Sequence, residues 1–371
     1  MNIVFLIGNG FDLNLNLKTK YCHFYKYYIS TPSKNTTIEK FKKVLSENLE
    51  NWADLELELG KYSNEFGTES ENDFVELLYD IQDALAEYLD KQDSEFNVSE
   101  GDIKKSTEDL FKFEKYLSQR EREEFIKYKS QIEKSTLNIR VITFNYTRTL
   151  EKIYKWAGKP LNLGNRNIGN SVYSSAFQAI EHIHGTTESI MIMGVNDSSQ
   201  IENESLRNST RLRRAFVKTE MNINAGTMRD DRCQKWINDA DIVCIFGMAM
   251  GETDRYWWNI VGERIAKSAA RLFIFDVAKE IPSRREYMII EAKDELKNKF
   301  VSRVDLDEKS KEKIKDQTYV CVNSDMFKVK LNYPEKKTDL EKAVAFAAEN
   351  GDMLAKAGEL IANFYLKEQS R

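Results

Sequence analysis

The chain has 371 residues, of which 41% are hydrophobic and 31% charged, and its formal net charge is -5. This composition is typical of a soluble globular protein, and the acidic balance gives no electrostatic reason to expect nucleic acid. The four cysteines are scattered and form no Cys-x-x-Cys pair, which argues against a zinc ribbon or a redox motif. Because no apolar run reaches the ~20 residues that span a bilayer and no signal peptide is seen, we predict a cytoplasmic location without membrane contact.

Short apolar runs predict the β-strands of this protein. In chain order they lie at 3–7, 139–144, 189–195, 241–246, 271–277 and 318–323. Runs that are apolar almost throughout are typical of parallel strands that are buried on both faces. Helical patterns lie between most of them, as a doubly wound fold requires. The sequence therefore predicts a Rossmann-like α/β fold with a mainly parallel sheet.

The long separation between the first two predicted strands indicates an insertion. About 130 residues lie between them, and helical patterns occupy 17–30, 36–60, 71–91 and 104–134. A single crossover helix needs far fewer residues. We therefore predict a helical insertion at 13–135, a core formed by 1–12 and 136–330, and a C-terminal helical hairpin within 331–371.

A glycine-rich break follows the first predicted strand, at Gly8, Asn9 and Gly10. A strand, a Gly-x-Gly turn and a helix in series present backbone N–H groups to a phosphate in many α/β proteins. Leu13 stands where the dinucleotide fingerprint has its third glycine, so a tight turn into a helix is the alternative. Asp12 would repel a phosphate; it either caps the helix, or binds a sugar hydroxyl or faces a cationic nicotinamide ring.

Polar residues also follow other strand-like segments, including a short extended piece at 179–183, and ligands of open α/β sheets bind at the carboxyl ends of the strands. We expect these residues to line one crevice together with the first glycine loop: Asn145, His184, Gly247, Thr253 and Asp254. His184 either has a structural role or acts as a general base near neutral pH. Asn145 either braces its loop or orients a water molecule or a ribose hydroxyl.

Two charged segments carry competing interpretations. Glu56 lies in a helical pattern at 51–60, where it either faces solvent or leans over the crevice from the insertion. The basic run at 211–218 is either a solvated helix face or a contact for RNA. With only three histidines in the chain, too few ligands come together for a metal site, and we expect none.

Five stretches resemble, in order, the AbiH family of phage abortive-infection proteins. They are LIGNGFDLNLNLKTKY, NWADLELELG, FNYTRTLEKIY, IHG and FGMAMGETDRYWW, and they span most of residues 1–260. AbiH proteins in turn distantly resemble sirtuins and other Sir2-like domains that cleave NAD. That resemblance implies a Sir2-like fold, a cofactor loop at Gly8 and Gly10, and Asn145 and His184 as the catalytic pair. The chain lacks the four-cysteine zinc module of sirtuins, so NAD hydrolysis is favoured over deacetylation. Ala249 stands where a serine is commoner in the family, and this difference concerns the contacts with the nucleotide.

The leading hypothesis is an antiphage effector that binds NAD as its substrate and cleaves the nicotinamide–ribose bond. In this hypothesis Gly8, Asn9, Gly10 and Gly247 contact the nucleotide, Thr253 and Asp254 anchor it, and Asp12 lies near the ribose or the nicotinamide. One alternative is a non-catalytic module that senses a nucleotide, and another is a toxin that acts on RNA. A homo-oligomer or a partner protein of a defence system remains open in each case.

Overall fold

The computed structural model describes residues 1–67, 70–94, 96–277 and 284–333. Residues 1–94 and 98–330 form one compact unit that contains the candidate site. Of the other described residues, 96–97 and 331–333 belong to a second unit, in which the rings of Phe96 and Tyr333 are in contact. The helical hairpin predicted after residue 335 lies outside the described residues. The predicted boundaries between the core and the insertion stay predictions.

The first strand is followed by a long helical region. Strand β1 spans Asn2–Ile7. After it come α1 (Gly10–Asn14), α2 (Tyr21–Ser30), α3 (Thr36–Glu47), α4 (Leu55–Tyr62), α5 (Glu71–Gln92), the short strand β2 (Asn97–Val98), α6 (Glu100–Asp109) and α7 (Gln119–Ile132). The helix predicted over 36–60 is two helices, because a 3₁₀ turn at Leu49–Trp52 separates them and Asp54 caps the second by accepting from the Leu57 N–H.

The remaining elements alternate between strands and helices. They are β3 (Leu137–Thr143), α8 (Thr149–Tyr154), β4 (Leu161–Ile168), β5 (Ser171–His182), α9 (Glu204–Asn208), α10 (Thr210–Phe216), α11 (Lys218–Ala225), α12 (Arg229–Asn238), β6 (Ile242–Phe246), α13 (Arg255–Lys267), β7 (Arg271–Asp276), α14 (Glu286–Ser302), α15 (Glu308–Asp316), β8 (Thr318–Val322) and β9 (Leu331–Asn332). In the described ranges, no helix is both long and apolar enough to cross a membrane.

The main sheet has seven strands in the order β4-β5-β3-β1-β6-β7-β8. All neighbouring strands are parallel except β4 and β5. The chain builds outward from β1 through β3 and β5, and then returns to the other side of β1 with β6. This reversal beside β1 is the arrangement of a doubly wound, Rossmann-like fold, so the predicted fold class is confirmed.

Both faces of the central part of the sheet are covered, which explains why β1, β6 and β7 are apolar almost throughout. Val4 and Leu6 of β1 belong to the same buried cluster as Trp258 of α13. Phe5 points to the opposite face, because side chains alternate along a strand, and its ring contacts Phe113, 6.1 Å away between α6 and α7. The last part of the helical region therefore forms one of the two layers that cover the sheet.

The strand predicted at 189–195 is wrong. The segment crosses the carboxyl ends of the strands, and its pairing is one isolated bridge between Val195 and Val217. Met191, Met193 and Val195 are buried in the core of the helical region, so their apolar character reflects burial against helices. The sheet instead contains β5, which precedes His184, and the antiparallel edge strand β4, whose polar sequence was not predicted as a strand.

Candidate functional site

The loops that follow β1 and β6 pack directly against each other at the centre of the sheet. The Gly10 N–H donates to the Gly247 carbonyl oxygen at 2.8 Å, and the Gly8 N–H donates to the Phe246 carbonyl oxygen at 3.0 Å. A Cβ atom on Gly10 would lie 2.3 Å from the Cα of Gly247, which itself has φ +62. Glycine is thus required here for the close approach of two backbones. The Gly10 amide is engaged within the protein, and its predicted role toward phosphate stays a prediction.

Asn9 lies between the two glycines, and its side chain ties the loop to the chain that follows. Its Nδ2 donates to the Thr19 carbonyl oxygen at 2.9 Å, and the Thr19 hydroxyl donates back to Asn9 Oδ1. Both ends of the Asn9 amide are therefore used to hold the loop. A contact between this side chain and a nucleotide stays a prediction.

His184 lies two residues beyond the end of β5 and is 4% exposed. The chain turns back at Gly185, whose φ is +74, and the Ile192 N–H donates to the His184 carbonyl oxygen at 2.7 Å. A Cβ on Gly185 would overlap the Ile190 carbonyl oxygen at 1.6 Å. The His-Gly pair is therefore explained locally by a turn that lets the segment 190–195 cross over the strand ends.

A buried network of charged side chains joins four parts of the chain at His184. His184 Nε2 is 2.9 Å from Asp254 Oδ1, and the same oxygen accepts from Lys218 Nζ at 2.9 Å. Lys218 Nζ also donates to Glu56 Oε2 at 2.8 Å, and Glu56 Oε1 accepts from the Gly194 N–H at 3.1 Å. Of the two interpretations of Glu56, the structure shows the one in which this side chain approaches the crevice, and Glu56 brings the helical region into the site.

Lys218 is placed in this network by the bridge between Val195 and Val217. The Val195 N–H donates to the Phe216 carbonyl oxygen, and the Lys218 N–H donates to the Val195 carbonyl oxygen, each at 2.9 Å. These bonds fix the first residue of α11, so the Lys218 side chain reaches inward, where it is 5% exposed. Sequence analysis missed this residue because it stands at the end of the basic run 211–218.

The network sets the charge of each member. Burial, followed by the nearby Lys218 cation, lowers the pKa of His184, so its imidazole is neutral at pH 7. Burial opposes ionisation of Asp254, but Lys218 and His184 hold the pKa of this carboxyl well below its ordinary value. Burial raises the pKa of Glu56 to about 7 although Lys218 opposes the rise. Burial also disfavours the charge of Lys218, but Asp254 and Glu56 raise its pKa above the ordinary value.

These charges fix the tautomer of His184. Because Asp254 is an ionised acceptor, we assign the imidazole proton to Nε2 and an unprotonated, basic nitrogen to Nδ1. Nδ1 is buried and has no hydrogen-bond partner in the protein. This pairing of a neutral histidine with a carboxylate is the arrangement by which a general base is oriented.

A small pocket adjoins the network. It has room for about one water molecule. It is lined by His184, Asn196, Lys218, Thr219, Asn222, Asp230, Thr253, Asp254, Tyr256 and Trp257. The structure thus brings together three of the predicted site residues, His184, Thr253 and Asp254. Among the described residues, no three or more His, Cys, Asp or Glu side chains are grouped so that they could hold a metal ion.

Asn145 and Asp12 belong to a neighbouring polar cluster. The Asn145 carbonyl oxygen accepts from His182 Nδ1 at 2.8 Å, and His182 Nε2 is 2.7 Å from a Glu151 carboxylate oxygen. Asp12 Oδ2 accepts from the Thr147 hydroxyl at 2.6 Å. Asp12 Oδ1 and Asn145 Oδ1 are buried without a partner in the protein, and burial raises the pKa of Asp12 to about 7. Two acceptor atoms are therefore left without a donor.

The two clusters lie at neighbouring strand ends. Phe144 and Tyr146 flank Asn145, and their rings lie 5.3 Å and 6.5 Å from the ring of His184. The Asn145 carbonyl group, in contrast, is bonded to His182. Asn145 and His184 thus share the same edge of the sheet, as predicted from their positions after β3 and β5, but different partners hold them.

Comparison with known proteins identifies one family. The model of a family described as bacteriophage abortive infection AbiH matches residues 4–276. This range begins within β1, ends with β7 and contains the whole network of Glu56, His184, Lys218 and Asp254. No curated protein matches the chain.

Proposed function

The chain belongs to the AbiH family of bacteriophage abortive infection proteins, and we propose that it acts in this response by binding and hydrolysing NAD at the nicotinamide–ribose bond. The observation that carries the proposal is the neutral His184 held by Asp254 beside a pocket for about one water molecule. A histidine that is neutral at pH 7 can accept a proton from water, as a general base must. The pair lies at the carboxyl edge of a Rossmann-like sheet, where such folds bind nucleotides.

The reaction assigns one role to each member of the network. Water attacks the anomeric carbon of the ribose while the bond to the nicotinamide nitrogen breaks, and nicotinamide leaves with that electron pair. His184 Nδ1 takes the proton that the attacking water loses. Asp254 keeps the proton of the resting imidazole on Nε2 and stabilises the imidazolium that forms. Lys218 keeps Asp254 ionised, and its second bond to Glu56 fixes its position.

The proposal places the ribose near the neighbouring cluster. Asp12 Oδ1 and Asn145 Oδ1 are acceptors without a partner in the protein, and ribose hydroxyl groups are donors of the kind that such atoms need. Gly8, Asn9, Gly10 and Gly247 would contact the phosphates. For Gly10 this requires that its N–H leave the Gly247 carbonyl oxygen, so nucleotide binding would separate the loops after β1 and β6.

The closed state of those loops favours a second candidate function, a nucleotide sensor without turnover. The bonds from Gly8 to Phe246 and from Gly10 to Gly247 hold the two loops together. A nucleotide that broke these bonds would move α1 and α13, which follow the two loops. A partner protein would then bind differently to the moved helices. Stoichiometric nucleotide binding without product would identify this function.

The RNA-directed alternative relied on the basic run at 211–218, and much of this run is engaged within the protein. Lys218 is buried in the network, Arg213 pairs with Glu220 at 3.2 Å, and Arg211 donates to Asn72. These contacts compete with binding of RNA phosphates. No observation in the described structure favours this alternative over the other two.

Incubation of the purified protein with NAD, ATP or RNA, followed by chromatography, tests the proposal. We expect nicotinamide and ADP-ribose from NAD, and no product from ATP or RNA. His184→Ala should lower the rate about 10²–10⁴-fold, which is the usual contribution of a general base. His23→Ala, on α2 outside the network, is the matched control, and His182→Ala should be milder than His184→Ala. If His184→Ala has the melting temperature and the rate of the wild type, His184 is not the base.

A further inference from the structure

The pocket beside His184 has a second wall, which comes from α11 and the start of α12. Asn222 and Asp230 form part of this wall. His184 Nδ1, Asn222 Oδ1 and Asp230 Oδ1 are each buried and have no hydrogen-bond partner in the protein. A buried polar atom without a hydrogen-bond partner destabilises the folded protein, and such atoms are rare in native proteins. Three of them on the residues of one pocket indicate that a small polar molecule binds there.

The size and chemistry of the pocket select water as that molecule. The pocket has room for about one water molecule, and a buried water typically makes 2–4 hydrogen bonds. All three unpaired atoms are acceptors, because the proton of His184 lies on Nε2. A water molecule has two hydrogens to donate, so one goes to His184 Nδ1 and the other to one of the two side-chain oxygens. An ionised carboxylate is the stronger acceptor, which favours Asp230 over Asn222.

We propose that this pocket holds the nucleophilic water, that His184 Nδ1 and Asp230 Oδ1 accept its two hydrogens, and that Asp230 is a positioning residue for the reaction. The proposal rests on the proposed function and assigns to Asp230 a role that the family match does not. With both hydrogens engaged, a lone pair of the water oxygen is free to attack the anomeric carbon. Orientation of this kind can account for a factor of about 10² in rate.

The groups around Asp230 determine the pH range in which its carboxyl group is ionised. Burial raises the pKa of Asp230 to about 6, with a further contribution from Asp231 on the same helix. The nearby Asn222 side chain and then the Arg229 cation oppose this rise, and His184, Lys218, Asp254 and Tyr256 face the same pocket from other elements. Asp230 is therefore ionised at pH 7.5 and gains a proton below about pH 6, when it can no longer accept at the protonated oxygen.

Steady-state kinetics of NAD hydrolysis at pH 7.5 test the role of Asp230. Asp230→Ala should lower kcat by up to about 10²-fold with little change in KM, because the substrate does not touch this side chain. Asp230→Asn keeps one oxygen acceptor and should recover part of the loss. Asp231→Ala, on the exposed side of the same helical turn, is the matched control and should retain the wild-type kcat. Full kcat in Asp230→Ala would overturn the proposal.

Two measurements that do not depend on NAD turnover test the water site independently of the proposed function. A high-resolution crystal structure should show one water within about 2.6–3.2 Å of both His184 Nδ1 and Asp230 Oδ1. The chain has only three histidines, so the ¹⁵N resonance of His184 Nδ1 can be followed, and it should move in Asp230→Ala. If the water is seen in the crystal structure and the ¹⁵N resonance moves, but NAD is stable, the proposed function is wrong and the water site stands. If the water contacts neither atom, or if Nδ1 is unaffected by Asp230→Ala, the water site is wrong whatever the substrate.

Discussion

Replacement of Asp12 by asparagine should stabilise the protein, and more so at high pH than at low pH. Asp12 is 1% exposed, its Oδ2 accepts from the Thr147 hydroxyl, and its Oδ1 has no partner in the protein. An asparagine has nearly the same shape, keeps an oxygen for Thr147 and carries no charge. The substitution thus removes the cost of burying a carboxylate and leaves the packing intact.

The sign and size of the effect follow from the pKa of Asp12, which burial raises from 3.8 to about 7. Between these values the folded protein binds a proton that the unfolded chain has lost, so stability decreases as the pH rises through this window. The resulting loss in the free energy of unfolding is about 4 kcal/mol at pH 8. About 1.5 kcal/mol of this loss is already present at pH 5. Asp12→Asn should therefore gain about 2–3 kcal/mol more at pH 8 than at pH 5.

Urea unfolding at pH 5 and pH 8 provides the assay, with Asp83→Asn on the exposed face of α5 as the control. The wild type and Asp83→Asn should show the same pH dependence, and Asp12→Asn a flatter one. An equal gain for Asp12→Asn at both pH values, or a loss of stability at pH 8, would refute the reasoning. Loss of NAD turnover in Asp12→Asn without loss of stability would separately indicate that this carboxylate contacts the substrate.

Three further substitutions test the packing around the site. Lys218→Met removes the cation that compensates two buried carboxylates and leaves them only their bonds from His184 and the Gly194 N–H, so it should cost about 3–5 kcal/mol; the double variant with Glu56→Gln should recover part of this, and unchanged unfolding of Lys218→Met would contradict the network. Gly60→Ala places a Cβ 2.2 Å from a backbone carbonyl oxygen and should cost about 1–3 kcal/mol, whereas Gly67→Ala, whose Cβ would meet only the Ser70 Oγ at 3.9 Å among atoms within 4 Å, should melt like the wild type. Gly10→Val should block nucleotide binding in a calorimetric titration and lower the melting temperature, because it forces two backbones apart; normal binding would exclude the predicted glycine loop.

Five strands of the parallel sheet, β1, β3, β6, β7 and β8, could be predicted because burial on two faces leaves a clear apolar run. The same rule failed at 189–195, since the core of a helical region demands apolar side chains as a sheet does. It also failed for β4 and for most of β5, because strands that are partly in contact with solvent tolerate polar residues. An apolar run thus indicates that a segment is buried, but it does not show whether strands or helices bury it.

The residues at the strand ends could be predicted, but their partners could not. Lys218 and Glu56 are 162 residues apart, and nothing local in α4 or α11 shows that they meet. Glycines at 8 and 10 suit both a phosphate loop and the close packing of two backbones, and the sequence does not distinguish these uses. The His184–Gly185 pair likewise serves a turn, while its chemistry depends on Asp254.

The most direct test of the central claim is the NAD content of bacteria during phage infection. Cells that produce the wild-type chain would be compared with cells that produce His184→Ala at the same protein level. We expect NAD to fall several-fold in the wild-type cells after infection, with release of nicotinamide, and to stay constant in the variant. An unchanged NAD pool in wild-type cells that still block the phage would contradict the account.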